Sequence, residues 1–165
     1  PQANDAPVYA VRNHATRAPS AHATDDGRWL VVSLFDGYQT NGIDLVDLAS
    51  PGSAPLARFG DWDALYTVLG NVGDVFYVQT TADAPLGRII AVDARRPQRG
   101  EWRTVVPQSD AAIVEASLVG GRLVVNYVRD ARGAASVFTL EGERVANVPL
   151  PGIGTVAGFP GNAKD

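Results

Sequence analysis

The chain has 165 residues, 45% of them hydrophobic and 19% charged, enough for one domain with a sizeable core. Its net charge of −4, with no basic patch, argues against a binder of phosphate backbones, so no nucleic-acid partner is expected. No apolar run approaches the ~20 residues of a membrane span, and the absence of cysteine excludes disulfides, thiolate metal sites and a cysteine nucleophile within these residues.

The chain opens on Pro1 with no basic-then-apolar leader, so a mature or truncated product is expected, soluble and either cytoplasmic or periplasmic. "PVYAV" (Pro7–Val11) resembles the last strand of a preceding unit. A weak strand follows near Thr16–Ala23, and then a polar turn, Asp25-Asp26-Gly27-Arg28, runs into "WLVVSLF". That turn has two echoes, "NVGDVFYVQTT" (Asn71–Thr81) and "VGGRLVVNYVRD" (Val119–Asp130). Gly27 to Gly73 is 46 residues and Gly73 to Gly121 is 48. In each, a glycine turn precedes β-branched and aromatic residues, as in a hairpin entering a buried strand.

The next segment repeats too. "GIDLVDL" (Gly42–Leu48), "RIIAVDA" (Arg88–Ala94) and "AASVFTL" (Ala134–Leu140) place Val46, Val92 and Phe138 at intervals of 46. A short last strand follows each: "LARF" (Leu56–Phe59), "WRTVV" (Trp102–Val106) and "RVANVPL" (Arg144–Leu150). "ALYTVL" (Ala64–Leu69) and "IVEASL" (Ile113–Leu118) supply the strands ahead of the second and third turns. Four short strands per repeat, three times over, with almost no helical periodicity, predict an all-β fold of propeller blades. The units fall at 16–59, 60–107 and 108–150. Residues 1–15 would hold the end of a preceding blade, and 151–165, with "TVAGF" (Thr155–Phe159), the first strand of a following one. Three blades cannot close a ring, so a segment of a larger propeller is expected.

Side chains that could carry chemistry have structural explanations. The chain has no G-x-S-x-G elbow, HExxH, P-loop or GxGxxG. Ser33 and Ser117 lie inside strand patterns. His14 and His22 stand eight residues apart with no third ligand nearby, so no metal site is expected. Asp25 and Asp26 suit turn capping rather than a paired-carboxylate site, and Asp36 and Asp47 complete the candidate acids. Trp29, Trp62 and Trp102 fall at unrelated blade positions and are expected to pack rather than form a cage. "DWDA" (Asp61–Ala64) occurs once, without the recurrence a WD repeat requires. Arg88, Arg95, Arg96, Arg99 and Arg103, interleaved with acids, are expected on a solvated loop face.

The ordered set "TDDGRWLVVSL…DG", "TTADAPLGRIIAVDARRPQRGEWRTVVPQSD", "GGRLVVNYVRDARG" and "LEGERVANVPLPGIGTVAGFPGNAKD" resembles the middle of the propeller domain in the prolyl oligopeptidase family of serine peptidases. The resemblance runs through residues 5–165. It implies a seven-bladed propeller covering an α/β-hydrolase domain of the same protein. That domain, outside this chain, would carry the Ser-Asp-His triad; the substrates would be short proline-containing peptides, and neither cofactor nor metal would be needed. On the family pattern, the loop after the first repeat's second strand, "LFDGYQT" (Leu34–Thr40), borders the substrate site. Tyr38 would offer an aromatic wall to the peptide's N-terminal side. Phe35 stands where many members carry a charge, implying a more apolar rim. The competing expectation is a non-catalytic binding propeller of the TolB-like kind, built from similar strand repeats.

Overall fold

The computed structural model describes residues 8–11, 17–50, 55–150, 158, 159, 161 and 163. Twelve strands are present: β1 (Ala18–Ala23), β2 (Trp29–Phe35), β3 (Asn41–Asp47), β4 (Ala57–Phe59), β5 (Tyr66–Val72), β6 (Val75–Thr80), β7 (Arg88–Asp93), β8 (Arg103–Val106), β9 (Ala112–Val119), β10 (Arg122–Arg129), β11 (Arg132–Phe138) and β12 (Arg144–Val148). A single 3-10 turn at Arg99–Glu101 is the only helical element among the described residues. The strands form three four-stranded sheets, each in sequence order, and every neighbouring pair is antiparallel. These are the three blades of the expected all-β propeller segment.

The repeated glycines have a common cause. Gly27, Gly73 and Gly121 occupy the first hairpin turn of successive blades, all with positive φ (69°, 61° and 65°), where a side chain would strain the turn. In the first of these turns Asp26 Oδ1 accepts the Arg28 N–H at 3.1 Å and the Thr24 hydroxyl at 2.6 Å, the capping role expected of the acidic pair.

Period-two alternation then assigns each strand's faces. In the middle blade, Phe76, Val78, Ile90 and Val92 face the first blade, alongside Trp29, Val31, Ile43 and Leu45. Their sequence neighbours Tyr77, Ile89 and Ala91 face the third blade, with Leu123, Val125 and Phe138. A strand covered on both faces needs apolar residues at every position, which is why "VFYV" and "IIAV" show no polar alternation. β2 is covered less evenly: Trp29, Val31, Val32 and Leu34 are buried, while Leu30 and Phe35 are half-buried.

At the amino end, Pro7 lies outside the described residues, and Val8–Val11 form no strand. Tyr9 lies instead against the first blade, its hydroxyl donating to Asp44 Oδ2 at 2.8 Å. His14 and most of "TVAGF" lie outside the described residues.

Antiparallel order fixes which connections share an end. The β2–β3, β4–β5, β6–β7, β8–β9 and β10–β11 connections gather at one end of the blades. The β1–β2, β3–β4, β5–β6, β7–β8 and β9–β10 connections leave from the other.

Candidate functional site

At the first of these ends the chain projects an aromatic residue into solvent. β2 and β3 pair through Phe35 and Asn41, so the expected loop shortens to 36–40. The Asp36 N–H donates to the Thr40 carbonyl at 3.2 Å, and the Thr40 hydroxyl donates to the Asp36 carbonyl at 3.3 Å. Gly37, with φ 76°, makes the bend, and Tyr38 at the apex is 98% exposed. Phe35 is different: it ends β2, half-buried and in register with both Ala18 and Asn41. The two residues therefore occupy one corner of the blade, Tyr38 as the projection and Phe35 as part of its base.

Two further hairpins open at the same end. In the third blade, Asp130 and Ala131 form a two-residue turn with both φ positive (51° and 57°). Beside it lies a cleft of about 420 Å³ lined by Ala111, Tyr127, Arg129, Arg132 and Ala134. Burial pushes the Tyr127 phenol up to about 12, so it stays a neutral donor across the ordinary pH range. In the second blade, Asp83 bridges Arg88 at 3.4 Å and Arg99 at 2.8 Å.

Arg99 does not belong to this end by chain order. It sits in the β7–β8 connection, which leaves β7 from the opposite end, yet Asp63 of the β4–β5 connection also holds it at 2.5 Å. The 94–102 connection must fold back along the blade to reach both acids. Trp102, at its close, stacks edge-on against Phe59 and Tyr66. Burial raises the Asp63 carboxyl, but Arg99 and the Tyr66 hydroxyl outweigh it and hold it below the ordinary carboxylate range.

Arg95, Arg96, Arg99 and Arg103 are exposed, as a solvated face requires, and several are also held in ion pairs. Arg95 pairs with Asp74 at 2.6 Å, Arg28 reaches the same carboxylate at 2.7 Å, and Arg96 lies 3.7 Å from Glu101. Periodicity could not show this, because the partners come together only when the second blade's connections fold and, for Arg28–Asp74, when the first two blades meet.

The remaining candidates resolve into structural roles. Asp47 Oδ1 accepts the Ala49 N–H at 2.9 Å, and Asp36 lies 3.7 Å from Arg17. Ser33 and Ser117 sit within β2 and β9, and His22 is exposed on β1. No group of three metal-ligating side chains occurs among the described residues. Trp29 and Trp102 pack as expected, whereas Trp62 carries the Arg17 guanidinium 3.5 Å above its ring.

One buried polar centre escaped the sequence reading. Asp44, 1% exposed on β3, receives Arg58 Nε at 2.5 Å, Arg58 Nη2 at 2.7 Å and the Tyr9 hydroxyl. Burial and the neighbouring carboxylate push the Tyr9 phenol up to about 12. An aspartate between Ile43 and Leu45 was itself the signal, since a buried carboxylate demands partners.

Comparison with known proteins decides the affiliation. Residues 1–165 match the family described as "Prolyl oligopeptidase, N-terminal beta-propeller domain". The chain belongs to the prolyl oligopeptidase family. A prolyl endopeptidase of Elizabethkingia meningoseptica is 27% identical over 164 residues, covering 99% of this chain and 23% of that protein. Prolyl oligopeptidase A of Galerina marginata is 25% identical, covering 90% of this chain and 21% of that protein. The chain therefore spans less than a quarter of the length of these prolyl oligopeptidase relatives. A solved structure from a study of two prolyl endopeptidases superimposes with a TM-score of 0.86 at 30% identity, covering 98% of this chain and 24% of that one. Prolyl oligopeptidase B from Galerina marginata shares the fold, with a TM-score of 0.83 at 21% identity. No helix among the described residues is long and apolar enough to cross a membrane.

Proposed function

We propose that this chain is the substrate-access part of a prolyl oligopeptidase-type serine endopeptidase that hydrolyses short peptides after proline. The observation that carries the reading is the match of the whole chain to the family's N-terminal propeller. The Ser-Asp-His triad and the proline pocket would belong to the α/β-hydrolase domain of the same protein. There the serine attacks the proline carbonyl, histidine relays its proton and aspartate orients the imidazole; no cofactor or metal takes part.

The blades act at a distance from the reacting bond. Stacked sheets exclude folded proteins, while an extended peptide can pass. Tyr38 supplies a rigid aromatic face with a hydroxyl at its tip, suited to an apolar side chain and a neighbouring peptide group. Phe35 keeps the base of that loop apolar. Contacts so far from the scissile bond favour longer peptides over minimal ones, because only the longer peptides reach them.

The test uses the intact parent protein and a chromogenic Gly-Pro amide. Hydrolysis abolished by an active-site serine reagent is expected. A parent that binds peptides without cleaving the amide would overturn the reading in favour of a TolB-like binding propeller.

A further inference from the structure

Segments far apart in sequence meet beneath the Tyr38 loop. Trp62, from the β4–β5 connection, lies against the start of β3, where a Cβ on Gly42 would stand 2.9 Å from its Cζ2. Only glycine at 42 lets the indole approach that closely. The indole N–H donates to the Leu34 carbonyl near the end of β2 at 3.3 Å. On the ring rests the Arg17 guanidinium, 3.5 Å from the centroid. Arg17 Nε lies 3.7 Å from Asp36 Oδ2, on the first residue of the loop, and the Arg17 side chain is only 15% exposed.

The Trp62 backbone is left-handed, with φ 54°. A bulky side chain persists in that region only where its surroundings over-determine it. The ring belongs to neither of the two apolar cores between blades, so core packing does not explain the conformation. What it holds is the root of the loop, gripped through the Leu34 carbonyl on one side and the Asp36 carboxylate on the other. The two hydrogen bonds between Asp36 and Thr40 close the loop on itself. Tyr38, almost wholly exposed, cannot set its own direction by packing.

We propose that Trp62, with Arg17 stacked on it, is the positioning residue that fixes the direction of Tyr38 and so sets the preference for longer peptides. The proposal rests on the reading of Tyr38 as peptide-facing. A cation held over an indole in a mostly desolvated setting is stiffer than a surface ion pair, since the ring fixes the plane of the guanidinium that faces Asp36.

The experiment compares a longer proline-containing peptide with the chromogenic Gly-Pro amide in the full parent protein. Trp62→Gly removes the ring while suiting the left-handed backbone, so the fold is retained. KM for the longer peptide should rise about threefold, no more than the loss that Tyr38→Ala itself produces, with a much smaller change in kcat and in the amide. Trp62→Phe keeps an aromatic face for Arg17 and should recover part of the loss. In a Tyr38→Ala background, Trp62→Gly should add little, because both act through one contact. Should Trp62→Gly fail to fold, Arg17→Gln carries the test and should move the ratio of the two substrates in the same direction. Equal losses on both substrates, or full additivity with Tyr38→Ala, would overturn the positioning role. The two layers separate cleanly: if Tyr38→Ala leaves the ratio unchanged, the peptide-facing reading fails. If Tyr38→Ala shifts the ratio and neither Trp62→Gly nor Arg17→Gln does, only the positioning role fails.

Discussion

The first and second blades meet through large aromatic residues and charged pairs, whereas the second and third meet through smaller residues and close backbone contact. Between the first two, Trp29 stacks edge-on against Phe76 at 5.5 Å, and Phe59, Tyr66 and Trp102 form a second aromatic group. Polar links close this interface at both ends. Asn41 donates to the Tyr66 carbonyl at 2.8 Å and accepts its N–H at 2.7 Å, and Asn71 donates to Asp26 at 2.9 Å. Arg28–Asp74 adds charge. Across the second interface no ion pair occurs among the described residues. Its links end on carbonyl oxygens, such as the Ile113 N–H to the Leu86 carbonyl at 2.8 Å and the Arg103 guanidinium to the Leu140 carbonyl at 3.1 Å. Blades of one repeat can thus be joined by two different chemistries, one with an ion pair across it and one without.

The largest expected effect tests the aromatic side. Trp29→Ala empties a fully buried site against Phe76 and should cost about 3–5 kcal/mol, read by denaturant unfolding of the parent protein. A loss under about 1 kcal/mol would show that the first interface does not depend on its aromatics. Next comes Asn41→Ala, which strips both partners from the buried Tyr66 backbone groups at about 1–3 kcal/mol for each group. Hydrogen exchange should then accelerate at Tyr66 before it does in β9; uniform acceleration would contradict a local link.

The second interface is broken by shape. At Gly142, with φ 99°, an added Cβ would fall 2.1 Å from the Val105 carbonyl oxygen. Gly142→Ala therefore forces the β11–β12 turn away from β8, at about 1–3 kcal/mol. Unchanged stability would mean that this approach is not needed.

The smallest stability effect concerns the Arg99–Asp63 pair within the second blade. Arg99→Gln should cost less than about 1 kcal/mol, because the pair is partly exposed. The Asp63 carboxyl sits below its ordinary 3.8, so its contribution is complete above that value and fades as pH falls through the lowered one. Acid should loosen the 94–102 connection first in wild type, and Arg99→Gln should remove part of that response. An identical acid response in both proteins would show that the Arg99–Asp63 pair does not hold that connection.

Much of the fold was legible because it obeys a local rule. Apolar runs bounded by glycine turns located most strands: "IVEASL" fell within β9, and "ALYTVL" began two residues before β5 and ended three short of its end. Of the proposed site, the sequence pointed only to Tyr38 and Phe35. The resemblance drew attention to Tyr38 and Phe35, but the Arg17–Trp62 stack joins residues 45 apart through a left-handed backbone that no periodicity signals. Arg99 likewise looked like a solvated loop residue, because its partners depend on the 94–102 connection folding back along the blade. Asp44 offered a signal that could have been followed: a carboxylate in an apolar strand needs a cation, and Arg58 lies across from it on the neighbouring strand.

The central claim is that this blade segment handles peptides through Tyr38. The most direct measurement is kcat/KM of the parent protein and its Tyr38→Ala variant on a longer proline-containing peptide and on the Gly-Pro amide. Tyr38→Ala should lower the value for the longer peptide by about three- to tenfold, the loss of a remote aromatic contact, with a clearly smaller effect on the amide. Equal changes on the two substrates would contradict the account.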